Sequence, residues 1–595
     1  MASRGPKQSL HDRRKGETAL SDFTDFVNKE QAKRQLAPGQ GDSTNRSKPT
    51  SPEDHAELSI IDSLGLAESN THIPLKSLLL EDLVDGKESL PQLAELLQRR
   101  IDEGHGETLF DLGLEDNRES MMFSKEQWDL ALNRLRQAAK SLDADCRVLM
   151  THNVGGDEET DFMNEKEKGS SGKVMIRQKP STVEEVIETR IAVVGNVDAG
   201  KSTMLGVLVK GGLDDGRGKA RVNLFRHKHE IESGRTSSVS MEIMGFDTHG
   251  EVVASNVPGR KLSWEEIGKR SAKVISFTDL AGHERYLRTT VFGLLSSEPN
   301  YCLLMVAANN GLVGMSKEHL GIALALNVPV MVVITKIDIC PPQILQQTIT
   351  QLTRILKSPG ARKIPIFIKN RDECINTATQ FVSQRICPVF QVSNVTGDNL
   401  DLVRTFLNIL PHHGNYNAQA PFEFHVNDTF SVPFVGTVVS GVVKSGVVHA
   451  GDTILIGPDS LGQFQTTSIR SIERKRIPVP VCSAGQSASF ALKRVRRKEV
   501  RKGMVVLTKM DHPPKVYREF VAEDRSFIRT GDRALVAFRF VQRPEYLAIG
   551  DRILFREGRT KGLGIVKSVG YDPSKPLNPE AAKEKEEEGQ RIQVG

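Results

Sequence analysis

Residues 191–202 read Ile-Ala-Val-Val-Gly195-Asn196-Val197-Asp198-Ala199-Gly200-Lys201-Ser202, and this stretch restricts the fold more than any other. Four apolar residues suited to a strand run directly into G-x-x-x-x-G-K-[ST]. In a strand–turn–helix context the glycines let successive backbone N–H groups wrap a phosphate. Lys201 then reaches the β- and γ-phosphates, and the Ser202 hydroxyl ligates Mg²⁺. A strand this apolar needs cover on both faces, which a parallel sheet flanked by helices provides. Continuous apolar runs at 274–277, 302–306, 328–334 and 388–392 supply its neighbours, alternating with helical patterns from 190 to about 411.

Phosphate binding alone does not select a base; four further motifs do. Thr236, in Glu232-Ser233-Gly234-Arg235-Thr236, offers a hydroxyl and a carbonyl that can close over Mg²⁺ and a γ-phosphate. Asp279-Leu280-Ala281-Gly282-His283 follows the run at 274–277. Asp279 would hold Mg²⁺ through water, and the Gly282 N–H would sense the γ-phosphate. Thr335-Lys336-Ile337-Asp338 follows the run at 328–334. A carboxylate there accepts N1–H and the 2-amino hydrogens of guanine, a pair of donors adenine lacks. Ser393-Asn394-Val395 follows the run at 388–392 and offers backbone contacts to the guanine oxygen.

Each motif is weak alone. All of them in order, each after an apolar run and therefore at the strand ends where open sheets bind ligands, form the pattern of P-loop GTPases, with GTP and Mg²⁺ as ligands. One position departs: Thr335 stands where that class mostly has Asn. Asp338 should keep the guanine preference, with the base held more loosely by about 1 kcal/mol for one lost hydrogen bond.

The loop from Gly195 through Thr203 resembles the GHVDAGKST of translation factors, with Asn196 for His, and DLAGHE resembles their DTPGHE. Val435-Gly436-Thr437-Val438-Val439-Ser440-Gly441 is similar to the G-T-V-x-x-G strand of their second domain, and residues 555–564 (FREGRTKGLG) to a turn of their third. Residues 225–238 (FRHKHEIESGRTSS) look like the switch segment of the GTP-binding protein 1 family of elongation-factor-like GTPases, in which the Thr of TKID is usual. The resemblance runs from about 100 to about 567. It implies a three-domain GTPase core with an extra N-terminal domain. It implies GTP hydrolysis coupled to translation or mRNA surveillance, with aminoacyl-tRNA as a candidate ligand and the ribosome as activator, and His283 placing the attacking water. No arginine is assigned to the γ-phosphate, since Arg235 beside Thr236 reads equally as a solvated loop residue, so slow intrinsic turnover is expected. In one respect the chain departs from the family. The strand at 518–523 is followed at once by the later RTGD segment, so about a quarter to a third of the third domain is missing, at about 10 residues per strand and loop. This favours a second reading, a GTP-switched adaptor that recruits RNA-decay factors without carrying tRNA.

With 595 residues the chain is long enough for about four domains of roughly 150 residues. The expected architecture is an N-terminal α/β domain at 70–186, an α/β P-loop GTPase domain at 187–414, an all-β barrel at 415–510 and a shortened second barrel at 511–570. Residues 1–69 and 571–595 are polar, charged and expected to be disordered, as is the acidic insert at 155–168. The net charge of +5 indicates no partner by itself. Locally, 493–502 (KRVRRKEVRK, Lys493 through Lys502) holds seven basic residues in ten, with Arg474, Lys475 and Arg476 near in sequence; such a patch suits RNA phosphates. His227, His229 and Glu230 read as switch residues rather than a metal site. No apolar run reaches the ~18–20 residues of a membrane-spanning helix, and no secretory leader is expected. Six cysteines without a CxxC pair fit a reducing compartment, so a cytoplasmic monomer is expected.

Overall fold

The structure, a computed structural model, describes residues 74–570 apart from 85–86, 116–118, 155–168, 223, 225–229, 231–235, 237–238, 255–261, 382–384, 415, 511–513, 518, 521–537 and 558–559. The expectations for both tails, the 155–168 insert, His227, His229 and Arg235 fall outside these residues. The chain divides into two compact units. Among the described residues the smaller comprises 74–102 together with 108–176, and the larger comprises 103–107 and 177–570.

In the smaller unit, helices α1 (Leu75–Leu80), α2 (Ser89–Glu103) and α3 (Lys125–Ser141) cover a three-stranded sheet. Its strands are β1 (Glu107–Leu112), β2 (Ala144–His152) and β3 (Ser171–Gln178), in the order β1-β3-β2. Ser124 starts α3 with a capping box closed by Gln127. Leu93, Leu97 and Ile101 recur at helical spacing and meet Trp128 and Leu135 in the core with Phe110 and Val174.

The larger unit begins with a seven-stranded sheet of β4 (Ile187–Gly195), β5 (Ser240–Phe246), β6 (Lys273–Asp279), β7 (Tyr301–Ala307), β8 (Val330–Thr335), β9 (Ile364–Phe367) and β10 (Ile386–Gln391). Its order is β9-β10-β8-β7-β4-β6-β5. Every pairing is parallel except β5 with β6. The five expected strands are the buried ones; β4, β6, β7 and β8 are buried along their whole length. The two strands the apolar runs do not announce, β5 and β9, are edge strands with half-solvated residues. The flanking helices that matter for the site are α4 (Lys201–Lys210), α5 (Lys219–Val222), α6 (Trp264–Arg270), α7 (Leu287–Ser296) and α8 (Met315–Ala325).

A closed six-stranded antiparallel barrel follows: β11 (Glu423–Val432), β12 (Gly436–Ser445), β13 (Thr453–Gly457), β14 (Gln465–Arg474), β15 (Ser487–Leu492) and β16 (Val505–Thr508). The order is β13-β16-β11-β12-β15-β14, with β14 pairing back to β13, so no edge is left open. Phe424, Val439, Ile469 and Phe490 fill its core. Residues 432–443 comprise the end of β11, a turn and most of β12. Phe434 takes a left-handed φ of 63° and Gly436 one of 104°, which reverses the chain there. After the barrel, the described residues form two short antiparallel pairs, Glu519–Phe520 with Phe538–Arg539 and Arg552–Glu557 with Thr560–Ile565.

The barrel is joined to the GTPase sheet by buried charge. Glu188 of β4 lies 3.4 Å from Arg474 Nη2 and 3.3 Å from Lys475 Nζ, and it accepts the Ser276 hydroxyl at 2.9 Å. Arg474 also donates to the carbonyls of Val183 and Glu184 at 3.1 and 2.9 Å. Arg190 donates to the Gly485 carbonyl and to the Tyr416 hydroxyl. This corrects the expectation that Arg474 and Lys475 belong to an RNA-facing patch. Both side chains are buried against Glu188, so their charge is directed at that carboxylate instead of at solvent.

Candidate phosphate and guanine site

The expected site residues gather at the carboxyl ends of β4, β6, β8 and β10. The register pairs Val193 with Asp279 and Thr335 with Ala307, which brings those strand ends to one edge. Gly195 adopts φ 147°, and a Cβ there would lie 2.4 Å from the Met305 carbonyl oxygen. Only glycine lets the loop leave β4 so close to β7. Asp198 and Gly200 follow with left-handed φ values of 59° and 82°. This turns the loop onto the N-terminus of α4, where unpaired N–H groups and the helix dipole favour an anion.

Lys201 is folded back over its own loop, its Nζ 3.1 Å from the Gly195 carbonyl and 2.8 Å from that of Asn196. Burial pulls its pKa down to about 8, opposed by Asp279 and Asp198. Ser202 Oγ donates to Asp279 Oδ2 at 2.5 Å and lies 2.9 Å from Thr236 Oγ1. Burial lifts the Asp279 pKa to about 6 against the pull of Lys201 and Ser202. Asp279 Oδ1 is buried and has no hydrogen-bond partner. Two hydroxyls and a carboxylate with an unsatisfied oxygen are the hard donor set that suits Mg²⁺, so the residues fit the ion.

Gly282 and His283 close the other side. A Cβ on Gly282 would lie 2.5 Å from Lys201 Nζ and 2.6 Å from the Gly195 carbonyl oxygen. His283 accepts the Arg285 N–H on Nδ1 at 3.1 Å, so a neutral ring carries its proton on Nε2. A cleft is lined by Val197, Asp198, Gly200, Lys201, Ser202, Thr203, Thr236, Gly282, His283 and Arg221. All but Arg221 belong to the expected set.

The guanine-side residues lie outside that cleft but are wired to it. The Thr335 hydroxyl is buried and donates to the Ala199 carbonyl at 2.9 Å, so it braces the phosphate loop. Lys336 is left-handed (φ 62°) and leads into the short turn that carries exposed Asp338. The Ser393 hydroxyl accepts the N–H groups of Val395 and Thr396 at 3.2 and 3.1 Å, shaping that loop. Asn394 Nδ2 would lie 3.6 Å from a Cβ on Gly200.

Two supporting side chains escape sequence reasoning. From α8, Ser316 Oγ accepts the Asn196 N–H at 2.8 Å, and His319 Nδ1 accepts the Gly195 N–H at 3.3 Å. Burial, aided by Lys201, pushes the His319 pKa down to about 3 and keeps the ring neutral. They lie more than a hundred positions from the loop and no local motif marks them. Among the described residues no cluster of His, Cys, Asp and Glu could hold a metal, and no helix is long and apolar enough to cross a membrane.

Fold and site together define a GTPase of the elongation-factor type. Residues 188–412 match the elongation factor Tu GTP-binding domain, and 436–507 match elongation factor Tu domain 2. The chain belongs to the GTP-binding protein 1/2 family of elongation-factor-like GTPases. It is 46% identical over 527 residues to GTP-binding protein 1 of Xenopus laevis, covering 82% of this chain and 78% of the relative. It is 40% identical over 517 residues to human GTP-binding protein 2, covering 80% and 84%. A solved bacterial selenocysteine-specific elongation factor, EF-Sec, aligns at 18% identity over 64% of this chain and 57% of its own, with a TM-score of 0.46.

Proposed function

We propose that this GTPase acts in translation or ribosome-linked mRNA surveillance, with the ribosome as its activator. The observation that carries the site assignment is the convergence of Lys201, Ser202, Thr236, Gly282 and His283 on one cleft. In this reading the N–H groups of 195–203 and Lys201 hold the phosphates. Ser202 and Thr236 would ligate Mg²⁺, and Asp279 would hold it through water. Mg²⁺ supplies neutralising charge on the phosphate oxygens. The Gly282 N–H reads the γ-phosphate. His283 orients the attacking water through Nε2–H, and the water's protons leave with phosphate and solvent, because this displacement needs positioning more than a strong base. Asp338 selects guanine, with Thr335, Lys336, Ser393, Asn394 and Val395 framing the base.

RNA, including aminoacyl-tRNA, is read as a ligand of the 493–502 segment. There Lys493, Arg494 and Lys498 are exposed, while Arg496 pairs with Glu499 and Lys502 with Asp428. Stopped-flow binding of labelled GTP and GDP tests the nucleotide assignment, and equal competition by ATP would sink it. Retention of aminoacyl-tRNA by the GTP-analogue-bound chain tests delivery. A second reading, the GTP-switched adaptor recruiting RNA-decay factors, is favoured by the shortened third domain, in which residues 518–523 run at once into the RTGD segment; failure to retain aminoacyl-tRNA supports it.

A further inference from the structure

The phosphate cleft contains one cation that no motif announces. Arg221 sits on α5, between the phosphate loop and Thr236, and lines the cleft with Lys201, Ser202 and His283. Its placement is built rather than incidental. Asp214 is buried, and its carboxylate accepts three backbone N–H groups: Gly216 and Gly218 at 3.1 Å each and Ala220 at 2.9 Å. The Asp214 N–H donates to the Asn394 carbonyl at 2.9 Å, which anchors the segment to the loop expected to frame the base. On the other side α5 rests directly on α4, since a Cβ on Gly206 would lie 2.2 Å from the Ala220 carbonyl oxygen. The guanidinium folds over Gly218, where a Cβ would lie 2.5 Å from its Nε. Among the described residues the Arg221 side chain has no ion pair or hydrogen bond. A half-buried guanidinium aimed into a phosphate cleft without a protein acceptor is matched to a phosphate oxygen, which it can bind with two parallel N–H donors.

We propose that Arg221 is a catalytic arginine supplied by the chain itself, which stabilises charge on the transferring phosphoryl group. This rests on the reading of the cleft as the GTP phosphate site. During hydrolysis the water oxygen bonds to the γ-phosphorus as the bond from that phosphorus to the β–γ bridging oxygen breaks. The electron pair of the broken bond stays on GDP, and the water protons leave with phosphate and solvent. Arg221 transfers no proton; its fixed positive charge lowers the barrier.

The test is single-turnover GTP hydrolysis by excess full-length protein, with GDP affinity measured in parallel, for wild type, R221A, R221K and R217A. Arg217 is exposed on the same loop and serves as control. The expected result is a fall of roughly 10²-fold in R221A, a similar fall in R221K, GDP affinity within about threefold, R217A unchanged, and partial rescue of R221A by millimolar guanidinium. Hydrolysis unchanged in R221A overturns the proposal. So does a parallel loss of GDP affinity and hydrolysis without guanidinium rescue, which marks a structural role. Failure of wild type to bind GTP would instead overturn the cleft assignment itself, so the two failures are distinguishable.

Discussion

Glu188 of the GTPase sheet and Arg474 of the barrel form a buried ion pair, with Lys475 on the same carboxylate oxygen. The pair lies at the opposite end of β4 from the phosphate loop, so the strand that presents the nucleotide is pinned to the barrel at its other terminus.

Replacing Glu188 with Gln should be costly. It leaves Arg474 and Lys475 buried without a counter-charge, a loss of about 3–5 kcal/mol in systems of this kind. Chemical denaturation should show this as a drop in the midpoint, with the double change E188Q/R474M less destabilised than the sum of its parts. Unchanged stability in E188Q would mean the cluster is hydrated in solution.

Acid should unfold the protein in two ranges. His319 is held neutral with its pKa near 3, so between its ordinary value of 6.5 and that point the unfolded chain binds more protons, and stability falls as pH falls. Glu423 is pulled down to about 2 by His425 and Lys444 despite its burial, and Glu188 is lowered by Lys475, Arg474 and Arg190 despite its own. Their stabilisation is complete above the ordinary carboxylate value of 4.5 and is lost as pH falls below it. Melting temperatures should therefore decline gently from pH 6.5 and steeply below 4.5. In H319Q the upper part of the decline should flatten.

His283→Ala should separate binding from chemistry. The ring lines the cleft, accepts the Arg285 N–H and meets the Tyr286 ring edge-on, contacts that lie outside the phosphate loop. GTP and GDP affinities should stay within about twofold, and hydrolysis should fall by about 10²-fold, the usual scale for losing the placement of a reacting group. Equal hydrolysis in H283A would remove His283 from the mechanism.

Gly282→Ala places a methyl against Lys201 Nζ and the Gly195 carbonyl. Neither atom can move without disturbing the phosphate loop. Overpacking of about 1–3 kcal/mol should appear as roughly 10- to 100-fold weaker binding of GTP analogues. Fluorescence titration would show it, and an unaffected affinity would show that the loop opens before nucleotide binds.

How much of this was legible in the sequence depended on burial and on locality. Strands β4, β6, β7 and β8 announce themselves because both faces are covered and each carries an apolar run of at least four residues, broken only by Ser276 in β6. β5 escapes because, as an edge strand, it keeps Ser240 and Glu242, and β9 because it is only four residues long and contains Pro365. The hairpin at 432–443 is hard to place from composition because its arms and turn are alike apolar, and the left-handed backbone at Phe434 and Gly436 marks the reversal. The family's chemistry is legible because phosphate, Mg²⁺ and guanine each demand particular groups a few residues apart. From the sequence alone, the order of motifs determined the class of nucleotide site and the alternation of α/β and β domains. Only the tertiary structure decided which charges remain available. It buried Arg474 and Lys475 on Glu188, set Ser316 and His319 behind the phosphate loop, and turned Arg221 toward the cleft. A charge's role is set by what lies within a few ångströms of it, and those neighbours can be hundreds of residues away in the chain.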